Sequence, residues 1–114
     1  MRFEDLDVWK RATRLSVDIY RTLSDLRDYG FKDQITRSAL SVASNIAEGY
    51  ERETGKDRTK FLGYAKGSCG ELRTQVYVGM QAGFIDRDQG ARWMEEARAL
   101  SRMLHGLMRT LRDS

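Results

Sequence analysis

Apolar residues recur every three or four positions in four separate stretches of this chain, the spacing of one face of an α-helix. In the first stretch Val8, Ala12, Leu15, Ile19, Leu23 and Leu26 step down one side. Asp5 or Asp7 stands where a cap is wanted, and Gly30 follows the end. In the second, Ile35, Ala39, Val42, Ile46 and Gly49 alternate steps of four and three. In the third, Phe61, Ala65, Ser68, Leu72, Val76 and Gly79 keep a similar step, and Thr54 with Asp57 has the spacing of a capping box at its start. In the fourth, Trp93, Ala97, Leu100, Leu104, Leu107 and Leu111 run toward the end, with Asp86 and Gln89 as a similar cap. The pattern predicts helices over about 6–27, 33–50, 57–82 and 87–112, with short connectors around 28–32, 51–56 and 83–86. Short links between long helices make sequential neighbours antiparallel. A near-heptad period in helices of matched length then predicts an all-α fold: an up-down-up-down, left-handed four-helix bundle forming a single domain over 1–114.

Composition agrees with that picture. The chain has no proline, the commonest helix breaker, and 114 residues suffice for one domain. A chain this short buries a modest share of its surface alone, so association is expected to matter. The opening MRFEDLDVW lacks a basic-then-apolar signal pattern, and no apolar run approaches the roughly 20 residues that cross a bilayer. A cytoplasmic protein without membrane contact is therefore expected, and the single Cys69, at an apolar helical position, reads as a buried thiol. Net charge is +3, with 20 Lys and Arg against 17 Asp and Glu. That balance is mild, so the placement of charge matters more than its sum.

Three faces are not random. Gly63, Gly67 and Gly70 form a stripe on the third helix, although each mid-helix glycine costs about 1 kcal/mol against alanine. Either they are tolerated, or bare backbone serves a tight helix crossing, most readily between subunits. On the second helix Arg37, Ser41, Ser44 and Glu48 lie opposite the apolar row, and Ser38 and Asn45 flank it. They make a solvated back or a polar network that sets register, in which Arg37 could pair with Glu71. On the last helix Arg98, Arg102, His105, Arg109 and Arg112 step by four and three with no acidic residue among them. Lys10, Arg14 and Arg21 form a shorter row on the first helix, diluted by Asp18. First and fourth helices are neighbours in such a bundle, so the two rows could make one basic surface. Arginines one turn apart suit phosphates of RNA or DNA. The plainer reading is a solvated face whose cations complement the helix dipole.

Catalytic chemistry finds little support. His105 is the only histidine, so no metal site is expected, and no glycine-rich loop follows a strand to cradle a cofactor phosphate. Arg98 and His105 are similar in spacing to the Arg-x(4–6)-His motif of HEPN ribonucleases. Such a pair could stabilise a phosphorane and move a proton. Ala99 stands where that family favours a polar residue.

The order FEDLDVWKRA, QITRSALSVASNIAEG and FLGYAKGSCGELRTQ resembles the bacterial four-helix bundle proteins encoded in intervening sequences of large-subunit ribosomal RNA genes. These are similar in turn to the accessory variability determinant (Avd) proteins of diversity-generating retroelements. The resemblance covers residues 3 to about 85. It rests on Trp9, on Gln34, Arg37, Ser38, Asn45, Ile46, Ala47, Glu48 and Gly49, and on Phe61, Leu62, Ala65, Gly67, Ser68, Glu71 and Leu72. One departure is Ala43, where the family often has proline. The resemblance implies a homopentameric ring and, in the Avd branch, a basic exterior that binds nucleic acid and a partner reverse transcriptase. A non-enzymatic, homo-oligomeric nucleic-acid binder is the expectation. A scaffold that binds only a protein partner, and the ribonuclease, are the alternatives.

Overall fold

The computed structural model describes residues 2–112. A single turn of 3-10 helix, Phe3–Asp5, leads into α1 (Asp7–Thr22), followed by α2 (Tyr29–Glu51), α3 (Gly55–Gln81) and α4 (Arg87–Arg112). Helices adjacent in sequence pack together, and α1 closes the square against α4, giving a four-helix bundle of 45 × 21 × 19 Å. Its axis is filled by the apolar rows: Ile19, Ile35, Ile46, Leu62, Leu72, Leu100 and Leu104 are fully buried. Phe61, which the apolar row of α3 places on the core face, is only half-buried and meets Tyr64 and Arg52, whereas Leu62 and Cys69 are in the core.

Helix ends differ from the pattern where local polar groups compete with it. α1 ends at Thr22, not near 27. Ser24 Oγ donates to the Arg21 carbonyl at 3.0 Å, which offers the backbone an alternative to continuing the helix. Its start carries no side-chain cap from Asp5 or Asp7: Leu6 holds that position, and its backbone N–H donates to the Phe3 carbonyl. Asp28 caps α2 by accepting from Phe31 N at 3.1 Å, so α2 begins four residues early and takes Gly30 into its first turn. α1 is thus the short helix of the four. α2 runs unbroken through Ala43, as a chain without proline there can.

The other caps form as expected. Thr54 Oγ1 accepts from Asp57 N at 3.1 Å, and Asp86 Oδ2 accepts from Gln89 N at 3.2 Å. α3 ends in a left-handed Gly83 (φ +82°). Phe84 N reaches back to the Gly79 carbonyl and Gly83 N to that of Met80, closing a Schellman turn. This turn drops Ile85 onto Gly79. A Cβ built there would lie 2.8 Å from Phe31 Cζ and 2.9 Å from Ile85 Cγ1. Gly79 is where bare backbone is required.

Candidate nucleic-acid interface

Each helix in a square bundle has two neighbours, and its rotation decides which one a polar row meets. α4 turns Glu96, Gln89 and Trp93 toward α1. Arg11 grips Glu96 with both arms, Nε to Oε2 at 2.9 Å and Nη2 to Oε1 at 2.5 Å. The hydrogen bond to Glu96 raises the Arg11 pKa, and burial opposes it. Trp93 Nε1 donates to Asp18 Oδ2 at 2.7 Å, and Gln89 Nε2 reaches Asp18 and Thr22 at 3.4 Å. Asp18, which the sequence suggests only as a gap in the basic row of α1, is the buried indole's acceptor.

Arg98 lies two residues beyond Glu96, about 200° round the helix, so the basic row faces away from α1. The expected merger of the α1 and α4 rows does not occur. Lys10, Arg14 and Arg21 are exposed on the outer face of α1. The row of α4 borders α3, where three cations meet it along the antiparallel seam. Lys56 and Arg112 line one hollow together with Gly55 and Thr59. Lys66 Nζ stands 3.3 Å from His105 Nδ1. Arg73 and Arg98 line another hollow with Gly70, Thr74, Tyr77 and Met94. On α4 these rungs are spaced by about 10 Å at 1.5 Å per residue, and on α3 by about 15 and 10 Å; Arg102 and Arg109 are exposed between them. The acidic group in contact with this flank is Glu95, 3.7 Å from Arg98 and 3.8 Å from Arg102. Both pairs are exposed, and such pairs contribute little. Arg98 and His105 share a face but each meets a different cation of α3.

The glycine stripe edges this same flank and is no tight crossing within the chain. A Cβ at Gly63 would touch Met108 Cε at 3.6 Å, one at Gly70 would meet Arg73 Nη2 at 3.9 Å, and one at Gly67 would meet nothing within 4 Å. The close glycines lie elsewhere. Besides Gly79, they are Gly49, whose Cβ would stand 3.2 Å from the Arg58 carbonyl oxygen, Gly90, whose Cβ would stand 2.6 Å from Met80 Cγ, and Gly55 at the start of α3, whose Cβ would stand 3.2 Å from the Leu111 carbonyl oxygen.

The family-motif residues are structural in their contacts. Trp9 is half-buried and meets Phe3 edge-on at 5.5 Å. Asn45 Nδ2 donates to Ser41 O and Oγ at 2.9 Å each, and Ser68 Oγ donates to Ser41 Oγ at 3.0 Å. That network ties α2 to α3, so of the polar face of α2 it is Ser41 that takes part in fixing register. Arg37 and Glu71 line one hollow with Gln34, Ser38 and Gln75, but no ion pair joins them among the described residues. Glu48 instead pairs with Arg52 one turn on, whose guanidinium stacks over Phe61 at 4.5 Å.

Among the described residues no group of three His, Cys, Asp or Glu could hold a metal ion, and no helix is long and apolar enough to cross a membrane. Cys69 is fully buried, and burial pushes its thiol up to about 11. It is protected rather than activated. A second surface stands apart from the basic flank: an apolar groove between α1 and α2, lined by Phe3, Trp9, Val17, Tyr20, Leu40 and Ala43 among others.

The family model described as "23S rRNA-intervening sequence protein" matches residues 4–106. No curated protein matches. A crystal structure of a protein with unknown function from the S23 ribosomal protein family, from Bacteroides thetaiotaomicron VPI-5482, superposes with a TM-score of 0.83. The superposition covers 89% of this chain and 97% of that chain at 20% identity, a likeness of fold.

Proposed function

The chain belongs to the 23S rRNA-intervening sequence protein family, and we propose that it is a non-enzymatic binder of RNA or DNA that works as a homo-oligomer. The observation that carries the reading is the α3–α4 flank. Lys56, Lys66 and Arg73 face Arg112, His105 and Arg98 in that order along one seam, with Glu95 as the acid in contact. Such a strip attracts a phosphate backbone without reading sequence, and its affinity falls with salt as counterions are released. Fluorescence anisotropy with a short structured RNA tests it. Binding is expected at low salt and release at high salt. The double variant Arg102→Glu/Arg109→Glu is expected to weaken binding at least tenfold and to flatten the salt slope by about two phosphates' worth. Retention of full affinity by that variant would overturn the reading.

The resemblance to known bundles adds a homopentameric ring to the proposal and, through the Avd proteins, a reverse transcriptase as protein partner. Light scattering on the pure protein and co-purification with a neighbouring polymerase test these two points. The apolar groove supports a protein contact, because Val17, Tyr20 and Leu40 are each more than two-fifths exposed along it and clustered apolar surface marks association. If RNA leaves the protein indifferent at every salt, a scaffold that uses this groove is the better reading.

A further inference from the structure

We infer that the Arg73–Arg98 end of the flank is a site for one nucleotide of an unpaired strand, its phosphate between the two guanidinium groups and its base against Tyr77. This rests on the nucleic-acid reading above and names the kind of nucleic acid. Arg73 Nε is buried and has no hydrogen-bond partner. A ligand in the hollow would meet the outer guanidinium nitrogens instead: Arg73 Nη2 lies toward Gly70, 3.9 Å from where a Cβ there would stand, and both residues line the hollow. The wall opposite Arg73 supplies a second cation, Arg98, and no carboxylate lines the hollow between them. Gly70 leaves that hollow open where a side chain would intrude, and Thr74 turns its hydroxyl inward to the Gly70 carbonyl at 3.0 Å. An oxyanion is therefore the group that suits the space.

Tyr77 gives the site its second character. It lies one turn from Arg73 on the same face of α3 and is 55% exposed. Among the described residues no ring or cation packs against it, whereas Phe61, Tyr64 and Tyr29 have such partners. An exposed aromatic ring beside paired arginines is the stacking platform of single-strand binders. A duplex offers phosphates to the arginines but keeps its base faces inside the stack, so Tyr77 gains nothing from it. Preference for an unpaired strand follows from that asymmetry.

Anisotropy titrations with a short labelled oligouridine and with a matched RNA duplex test this. The wild-type protein is expected to bind the single strand more tightly. Tyr77→Ala is expected to weaken the single strand by about 5- to 100-fold and the duplex by less than twofold, and Tyr77→Phe to restore wild-type affinity. Arg98→Gln, at an exposed position, is expected to lower the single-strand salt slope by about 0.7. If Tyr77→Ala changes neither ligand while Arg102→Glu/Arg109→Glu abolishes both, this inference fails and the nucleic-acid reading stands. A Tyr77→Ala protein whose mass in light scattering falls would assign the ring to a subunit contact and overturn the inference. Wild-type protein that binds neither ligand overturns both.

Discussion

A methyl group added at Gly67 and one added at Gly79 have opposite consequences. At Gly67 the methyl meets nothing, so Gly67→Ala keeps only the gain in helix propensity and is expected to stabilise the fold by about 0.5–1 kcal/mol. At Gly79 the same gain is outweighed by collision with Phe31 and Ile85, and overpacking costs about 1–3 kcal/mol. Urea melts of the two variants check the signs. A loss of stability or of subunits in Gly67→Ala would return the stripe to a tight crossing between copies. Cys69 makes a second case. Its thiol is raised from the ordinary 9.0 to about 11 by burial, so between those values the unfolded chain loses the proton first. The stabilising difference is present below about pH 9 and is lost as pH rises toward 11, roughly 2–3 kcal/mol over the window. Stability against pH, compared between wild type and Cys69→Ala, is expected to show that extra decline in the wild type alone.

Between helices, the directed polar bonds concentrate on the thinnest seam. α1 is the shortest of the four helices, and it meets α4 through Arg11–Glu96 and Asp18–Trp93. Asp18→Ala leaves the buried Trp93 N–H unpaired and is expected to destabilise by about 1–3 kcal/mol. Asp18→Asn keeps an acceptor and is expected to recover most of that in a thermal melt. The existence and order of the helices are legible from sequence, because the apolar rows that predict them are the ones the core buries. Helix ends are legible to within about two residues everywhere except the α1–α2 turn, where Ser24 and Asp28 bond to the backbone. Asp28 is overlooked because Gly30, two residues on, looks like the stop of the preceding helix. The basic row of α4 is equally plain in the sequence. Its partner is not, since Glu96 and Arg98 stand only two residues apart yet face different neighbours, and helix rotation is set by the whole core. The unmade bond of Arg73 is invisible for the same reason.

Taken whole, the bundle keeps its two unusual surfaces apart: cations along α3–α4, apolar side chains along α1–α2. The two pairs of helices form opposite sides of the square. A subunit contact made through the apolar groove would leave the basic flank open to solvent, and copies arranged in a ring would then carry repeated cationic strips. Linked copies of a weak site bind one long strand far more tightly than a single copy does, provided the strand can span them. Leu40 is 48% exposed in that groove, so Leu40→Glu is expected to leave the fold intact, by circular dichroism, while placing a charge in the proposed contact. Light scattering should show a smaller assembly. Affinity for a short oligonucleotide that occupies one copy is expected to change less than twofold, and affinity for a long strand to fall by tenfold or more. An equal loss on both lengths would mean that the groove itself takes part in the nucleic-acid site. A mass unchanged from wild type would place the subunit contact on another face.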